Sequence, residues 1–323
     1  MTSGKSFFNK RLKSDKEGFL QIPFSWLFAI VVGAIIIFFA IYFTTKLMGT
    51  ETKVSTVETG SQINVLLNPL ETSFGEEQVT ALSIPVESLL SNNCDNAGNF
   101  GSQQIVVSQK AGGQWTDINI APTSHNKYIF SNDSVEGKNF YLFSKPLALP
   151  FKVGDLIYLT SANDNYCFVS APQTIQDELS NLKQGNIFIA NCPSNSINVC
   201  FSQASNCSIT VDQNQKSVEK NGHTMYYETD ALMYGAIFSN PDVYECQIQR
   251  LMKRTNELST IYNDKETIIS ISGGCPVDAS LSVDLLNLGE AAKSVNSSSD
   301  LINVRAIADN AGLENSVSPC PLW

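Results

Sequence analysis

From Phe24 to Phe43 the chain reads FSWLFAIVVGAIIIFFAIYF, a run without charge in which only Ser25 and Gly33 interrupt the apolar side chains. At about 1.5 Å of rise per residue such a run covers roughly the 30 Å of a bilayer's hydrocarbon layer, so the pattern predicts a transmembrane helix over residues 24–45. Trp26 and Tyr42 fall near its ends, where amphipathic rings favour the headgroup region, and Pro23 suits a helix's first turn. The run is longer than the core of a cleavable secretory signal, and the KLMGTET that follows lacks a small-x-small cleavage pattern. The lipid bilayer is therefore the expected partner of residues 24–45, which act as a retained signal anchor.

Beyond the helix the periodicity changes twice. Residues 46–77 read as a stalk or linker, with Asn68-Pro69 as a helix stop. Residues 78–228 form a strand-rich region: short runs such as Gln104–Ser108, Trp115–Ile120, Lys127–Phe130, Asn139–Phe143, Asp155–Thr160 and Tyr166–Ser170 are separated by Gly, Asn, Asp and Pro. Ile175, Leu179 and Leu182 predict one short helix within it, capped by Gly185, and strands resume at Asn186–Asn191, Ile197–Phe201 and Ser208–Val211. Residues 229–323 read as helical. Asn240-Pro241-Asp242 supplies a start, and Tyr244, Ile248, Leu251, Met252, Leu258 and Tyr262 lie on one helix face. A second helix follows through Leu281, Leu285, Leu288, Ala292 and Val295, with Asp278 as its cap, and a third covers Asp300–Asn310. The expected fold class is α+β: a transmembrane helix, then an extracytoplasmic domain that is strand-rich first and helical toward the C-terminus.

Charge sets the orientation. Lys5, Lys10, Arg11, Lys13 and Lys16 precede the apolar run, which places residues 1–23 in the cytoplasm as a basic segment by the positive-inside bias. Residues 1–46 hold six basic and two acidic residues. Removing these from the totals of 21 and 31 leaves 15 basic against 29 acidic groups, a net charge near −14 on the outer part. A field of that sign repels phosphate backbones and excludes nucleic acid as a partner.

All eight cysteines, Cys94, Cys167, Cys192, Cys200, Cys207, Cys246, Cys275 and Cys320, follow the apolar run. An even number on one side of a membrane predicts disulfides in an oxidising compartment, with about 105 pairings open. Chemistry is sparse by comparison. His125 and His223 stand in polar turns, neither HExxH nor CxxC occurs, and no glycine-rich phosphate loop is present. Cys275 in SGGCP is a disulfide half before it is a nucleophile. The turn CDNAGNFG at 94–101 lacks the alternating ligands and terminal glutamate of a calcium loop. No catalytic residue, metal ligand or cofactor is expected. Asn132, Asn206 and Asn296 begin Asn-x-Ser triplets, acceptor patterns for N-linked glycan on an exported chain.

Two resemblances add to this reading. The stretches LLNPLETSFG at 66–75, GNFGSQQI at 98–105 and YECQIQRLMKR at 244–254 resemble those of uncharacterised single-pass surface proteins from small-genome archaea. KSDKEG-FLQIP at 13–23 resembles a type IV prepilin leader, which implies cleavage between Gly18 and Phe19. Pro23, however, occupies the place where many bacterial pilins carry a glutamate. The leading expectation is a membrane-anchored cell-surface protein with a non-enzymatic binding or structural role toward a protein or envelope partner. A pilin-like subunit processed after Gly18 is the alternative, and an ecto-enzyme working through scattered carboxylates is the second.

Overall fold

The computed structural model describes residues 26–46, 78–111, 113–116, 123–202, 206–273, 276 and 279–323. The basic segment, the Gly18 cut, the stalk, Cys275 and Asp278 lie outside the described residues. The chain divides into two units, residues 1–51 and 52–323.

In the first unit α1 (Trp26–Lys46) is a single helix of 21 residues. Trp26, Phe28, Ile36, Ile37, Phe38 and Ile41 all stand exposed among the described residues. Thr44 and Thr45 turn their hydroxyls back onto the carbonyls of Ala40 and Ile41, at 2.7 and 3.0 Å, which pairs both threonine donors within the helix.

The second unit is α+β, with strands first and helices later. Its strands are β1 (Gln78–Asp95), β2 (Ser102–Ala111), β3 (Gln114–Thr116), β4 (Thr123–Ser124), β5 (Tyr128–Phe130), β6 (Ser134–Ala148), β7 (Lys152–Ser161), β8 (Tyr166–Val169), β9 (Ile187–Phe188), β10 (Ile197–Cys200), β11 (Ile209–Asp212), β12 (Ser217–Lys220) and β13 (His223–Tyr226). The helices are α2 (Gln173–Asn181), α3 (Asp230–Phe238), α4 (Pro241–Ile271), α5 (Ala279–Lys293) and α6 (Leu301–Val317).

Sheet A has the order β3-β2-β1-β6-β7-β5, with β4 also on β2, and only the β5–β7 pairing is parallel. Its inner strands are buried on both faces by strict alternation. Tyr128, Phe130, Phe143, Leu156 and Tyr158 enter the main core, whereas Ile129, Phe140, Leu142, Ile157 and Leu159 enter a second cluster with Leu90 and Val107. β1 is longer than any strand the periodicity suggests. Pro85 cannot donate to a ladder, and the pairing with β6 slips between Ser83 and Ser88 to accommodate it.

Sheet B has the order β13-β12-β11-β10-β8-β9, parallel from β9 to β11 and antiparallel in the β11-β12-β13 meander. α3, a helix the alternation did not announce, lies in the main core with residues 231–238 all buried. Thr229 caps its start by accepting the Leu232 N–H at 3.3 Å. Gly235 is needed there, because a Cβ would stand 2.8 Å from the Phe130 ring. Phe143, Tyr158, Tyr166 and Phe238 complete an aromatic cluster with centroid spacings of 4.4 to 6.1 Å.

Helix ends depart from expectation in two places. α2 stops at Asn181, and Lys183, not Gly185, follows its end with a left-handed φ of 52°. Gly185 instead admits the Tyr141 hydroxyl, 3.0 Å from where its Cβ would stand. Asn240 precedes α4 as predicted but makes no side-chain cap. Its amide donates to Asp133 Oδ2 at 2.6 Å, tying the helix start to the β5–β6 turn. α4 extends to Ile271 and α6 to Val317, both well past their predicted ends, and α5 packs against both.

Candidate functional site

The meander of sheet B builds a cleft from its own alternation. Ile209, Val211, Val218 and Met225 point into the core, so Thr210, Asp212, Ser217, Glu219 and Thr224 share the opposite face. Register places Thr210 beside Glu219 and Glu219 beside Thr224, one polar row across three strands. The β11–β12 turn supplies Gln213, Asn214 and Gln215, and Phe201 closes the side toward β10. The enclosed volume is about 450 Å³.

Two covalent or charged ties hold the cleft's rim. Asp212 Oδ1 accepts the N–H groups of Asn214 and Gln215 at 2.8 and 3.0 Å, fixing the turn and the carboxylate together. Cys200–Cys207 closes the loop between β10 and β11, with Cα atoms 5.9 Å apart. The turn's lysine, Lys216, points elsewhere and pairs with Glu228 at 2.6 Å. Among the described residues that line the cleft the charged ones are Asp212 and Glu219, so its field is negative.

A second recess of about 210 Å³ adjoins the Cys94–Cys246 disulfide, with Asn92, Asn93, Asp133 and Asp242 on its walls. Among the described residues no group of three His, Cys, Asp or Glu side chains is placed to hold a metal ion.

The junction behind that recess is built around Arg250, which is 0% exposed. Its guanidinium donates to the carbonyls of Phe100 (3.3 Å), Lys127 (2.9 Å) and His125 (3.1 Å) and to Gln247 Oε1 (2.9 Å), and it lies 5.0 Å from the Tyr128 ring centre. Burial pushes its pKa down to about 10, which leaves it charged at neutral pH. Gln247 continues the network to Gln103 Oε1 at 2.9 Å, and Gln103 reaches Asn92 and the Ile129 N–H. The CDNAGNFG turn wraps this side chain. Gly101 has φ of 61°, and a Cβ there would stand 2.8 Å from Arg250 Cγ. Lys253 donates to the carbonyls of Asn96 and Gly98. The turn's carbonyls thus face two cations of α4, an arrangement opposed to calcium binding.

Lys220 is a second buried cation, 8% exposed. Its ammonium has an acceptor for each of its three protons: the carbonyls of Ile237 and Ser239 at the end of α3, at 3.1 and 2.8 Å, and Asn132 Oδ1 at 3.2 Å. Burial lowers its pKa to about 8 against the opposing pull of Asp164 and Asp133. The unfolded chain therefore binds more protons than the folded one above pH 8, and this group makes stability rise with pH. Between about pH 8 and pH 9.5, below the tyrosine range, the rise is expected to reach up to about 1.4 kcal/mol per pH unit. Urea unfolding of Lys220→Met across that window is expected to show no such slope; an unchanged slope would assign it to another group.

The remaining residues singled out by sequence are dispersed. Cys94–Cys246 joins β1 to α4, Cys167–Cys192 joins β8 to the segment after β9, and Cys320 is also in a disulfide. Among the described residues no cysteine is free. His125 places Nδ1 2.8 Å from the Gly101 carbonyl, while His223 is exposed at the start of β13. Of the three sequons, Asn132 is engaged by Lys220, and Asn296 is exposed but its Ser298 hydroxyl is buried on Glu245 at 2.6 Å. Asn206 is exposed in a turn at φ of 74°.

The cleft residues escaped the sequence reading, although Asn221-Gly222 between two alternating runs is a strong hairpin signal that would have located them. Comparison of the chain with protein-family models, with curated proteins and with solved structures returns no match.

Proposed function

We propose that the chain is a single-pass membrane protein of the cell surface, its N-terminus in the cytoplasm and its disulfide-stabilised α+β domain outside, with a non-enzymatic binding or structural role. The observation that carries this reading is the division of the molecule. A helix of 21 residues exposes an apolar surface with Lys46, its one charged residue, at the C-terminal end, and each cystine lies on its C-terminal side. The five basic residues before the helix support the orientation. The acidic outer part and its anionic cleft favour recognition of a donor-rich partner in the envelope over nucleic acid.

Intact cells shaved with a protease are expected to lose the domain while an N-terminal epitope tag stays protected. Digestion of the tag before lysis would overturn the orientation. The mass of the membrane-extracted chain tests processing in the same preparation. Retention of residues 1–18 supports the anchor, and a mass beginning at Phe19 supports the prepilin-like alternative in its place.

A further inference from the structure

We propose that the cleft on the β11-β12-β13 face is a saccharide-binding site that takes neutral, hydroxyl-rich rings. This names the partner class of the surface protein proposed above and rests on that reading only for where the glycan is met, since the cleft's chemistry is independent of the anchor.

The volume of about 450 Å³ lies within the usual range of small-molecule sites. Thr210, Asp212, Ser217, Glu219 and Thr224 stand on paired strands, so they are fixed before a ligand arrives, and the backbone of the turn that carries the amides is held by Asp212. They are also unspent. Asp212 uses one oxygen on the turn and keeps Oδ2 free of protein partners. Among the described residues the Glu219 carboxylate and the Thr210 and Thr224 hydroxyls make no hydrogen bond.

The mixture of groups selects the ligand. A carboxylate accepts both hydroxyls of a vicinal diol in short, charge-assisted bonds. The side-chain amides of Gln213, Asn214 and Gln215 both donate and accept, matching a ring whose hydroxyls do the same. A simple cation would satisfy the carboxylates and leave the amide donors without acceptors. An anion meets two carboxylates and no lining cation. A lipid chain finds a single aromatic side chain, Phe201, which is large enough to support the C–H face of one pyranose. Phe201 also packs against the main core and 6.4 Å from the Phe168 ring, so its orientation is set from behind.

The test uses the full chain in lipid nanodiscs, which avoids sugar-headed detergents. Chitotetraose, mannotetraose, tetragalacturonate and tetralysine are titrated by ligand-observed NMR and calorimetry. At least one neutral oligosaccharide is expected to bind in the millimolar range or tighter, and tetragalacturonate is not. Glu219→Gln and Thr224→Val, both at exposed positions, are expected to weaken that binding by about tenfold or more while the melting temperature holds. No binding of either neutral oligosaccharide would overturn the proposal, as would binding that both variants leave intact or that tetralysine displaces. Saccharide binding by a chain whose tag proves accessible from outside would sink the topology and leave the cleft assignment standing. The reverse pair of results would do the opposite.

Discussion

Replacing Arg250 by alanine is expected to cost the domain about 3–5 kcal/mol, more than any other single change of a buried side chain described above. Three backbone carbonyls, from Phe100, His125 and Lys127, converge on this one guanidinium. Without it all three lose a charged donor, Lys127 in the buried interior and Phe100 and His125 at its margin, Gln247 Oε1 loses a partner, and a void opens under Gly101. Arg250→Lys is expected to recover only part of the loss, because one ammonium cannot reach carbonyls that the planar fork contacts in several directions. Denaturant midpoints of the wild type and both variants at matched slope give the comparison. A loss below about 1 kcal/mol would show that water replaces the side chain and that the junction is not as closed as its burial implies.

The second large effect belongs to Cys94–Cys246, whose halves are 152 residues apart. In the chain-entropy description, cross-linking a loop of that length disfavours the unfolded state by about 5 kcal/mol, against about 2 kcal/mol for the separation of 7 at Cys200–Cys207. The double variant Cys94→Ser, Cys246→Ser is therefore expected to melt well below Cys200→Ser, Cys207→Ser. Equal losses would rule out loop length as the cause. The first pair also sits beside Arg250 in α4, so its removal and Arg250→Ala are expected to combine non-additively.

What could be read in the sequence follows from how each element is buried. α1 and the stripe of α4 carry their own signatures, an uncharged run and a 3.6-residue period, and neither depends on the rest of the fold. α3 does not. DALMYGAIF is apolar on every side because the helix is enclosed, so it offers no polar face to set a period. β1 was obscured by Pro85, whose cost only the slipped pairing with β6 absorbs. Gln247 and Arg250 fall outside the apolar stripe of α4 and would be placed at the surface by pattern alone. They are buried because sheet A covers that side of the helix and offers carbonyls to them, a fact of tertiary structure. The cleft was hidden for a related reason: its row of Thr210, Glu219 and Thr224 exists only once register has been set between strands.

The position of Cys94–Cys246 has a mechanical consequence for a tethered domain. β1 leads the domain and is bonded along its length to β6, with β2 on its other side from Ser88 onward. Tension drawn along the chain through Gln78 loads those ladders in shear. If they give way, extension halts at Cys94, where the sulfur bridge hands the load directly to α4. The stretch between the two cysteines, which includes the whole β11-β12-β13 meander, is thereby bypassed. A pull between Gln78 and any point beyond Cys246 that strips β1 from its sheet would leave the cleft unstretched.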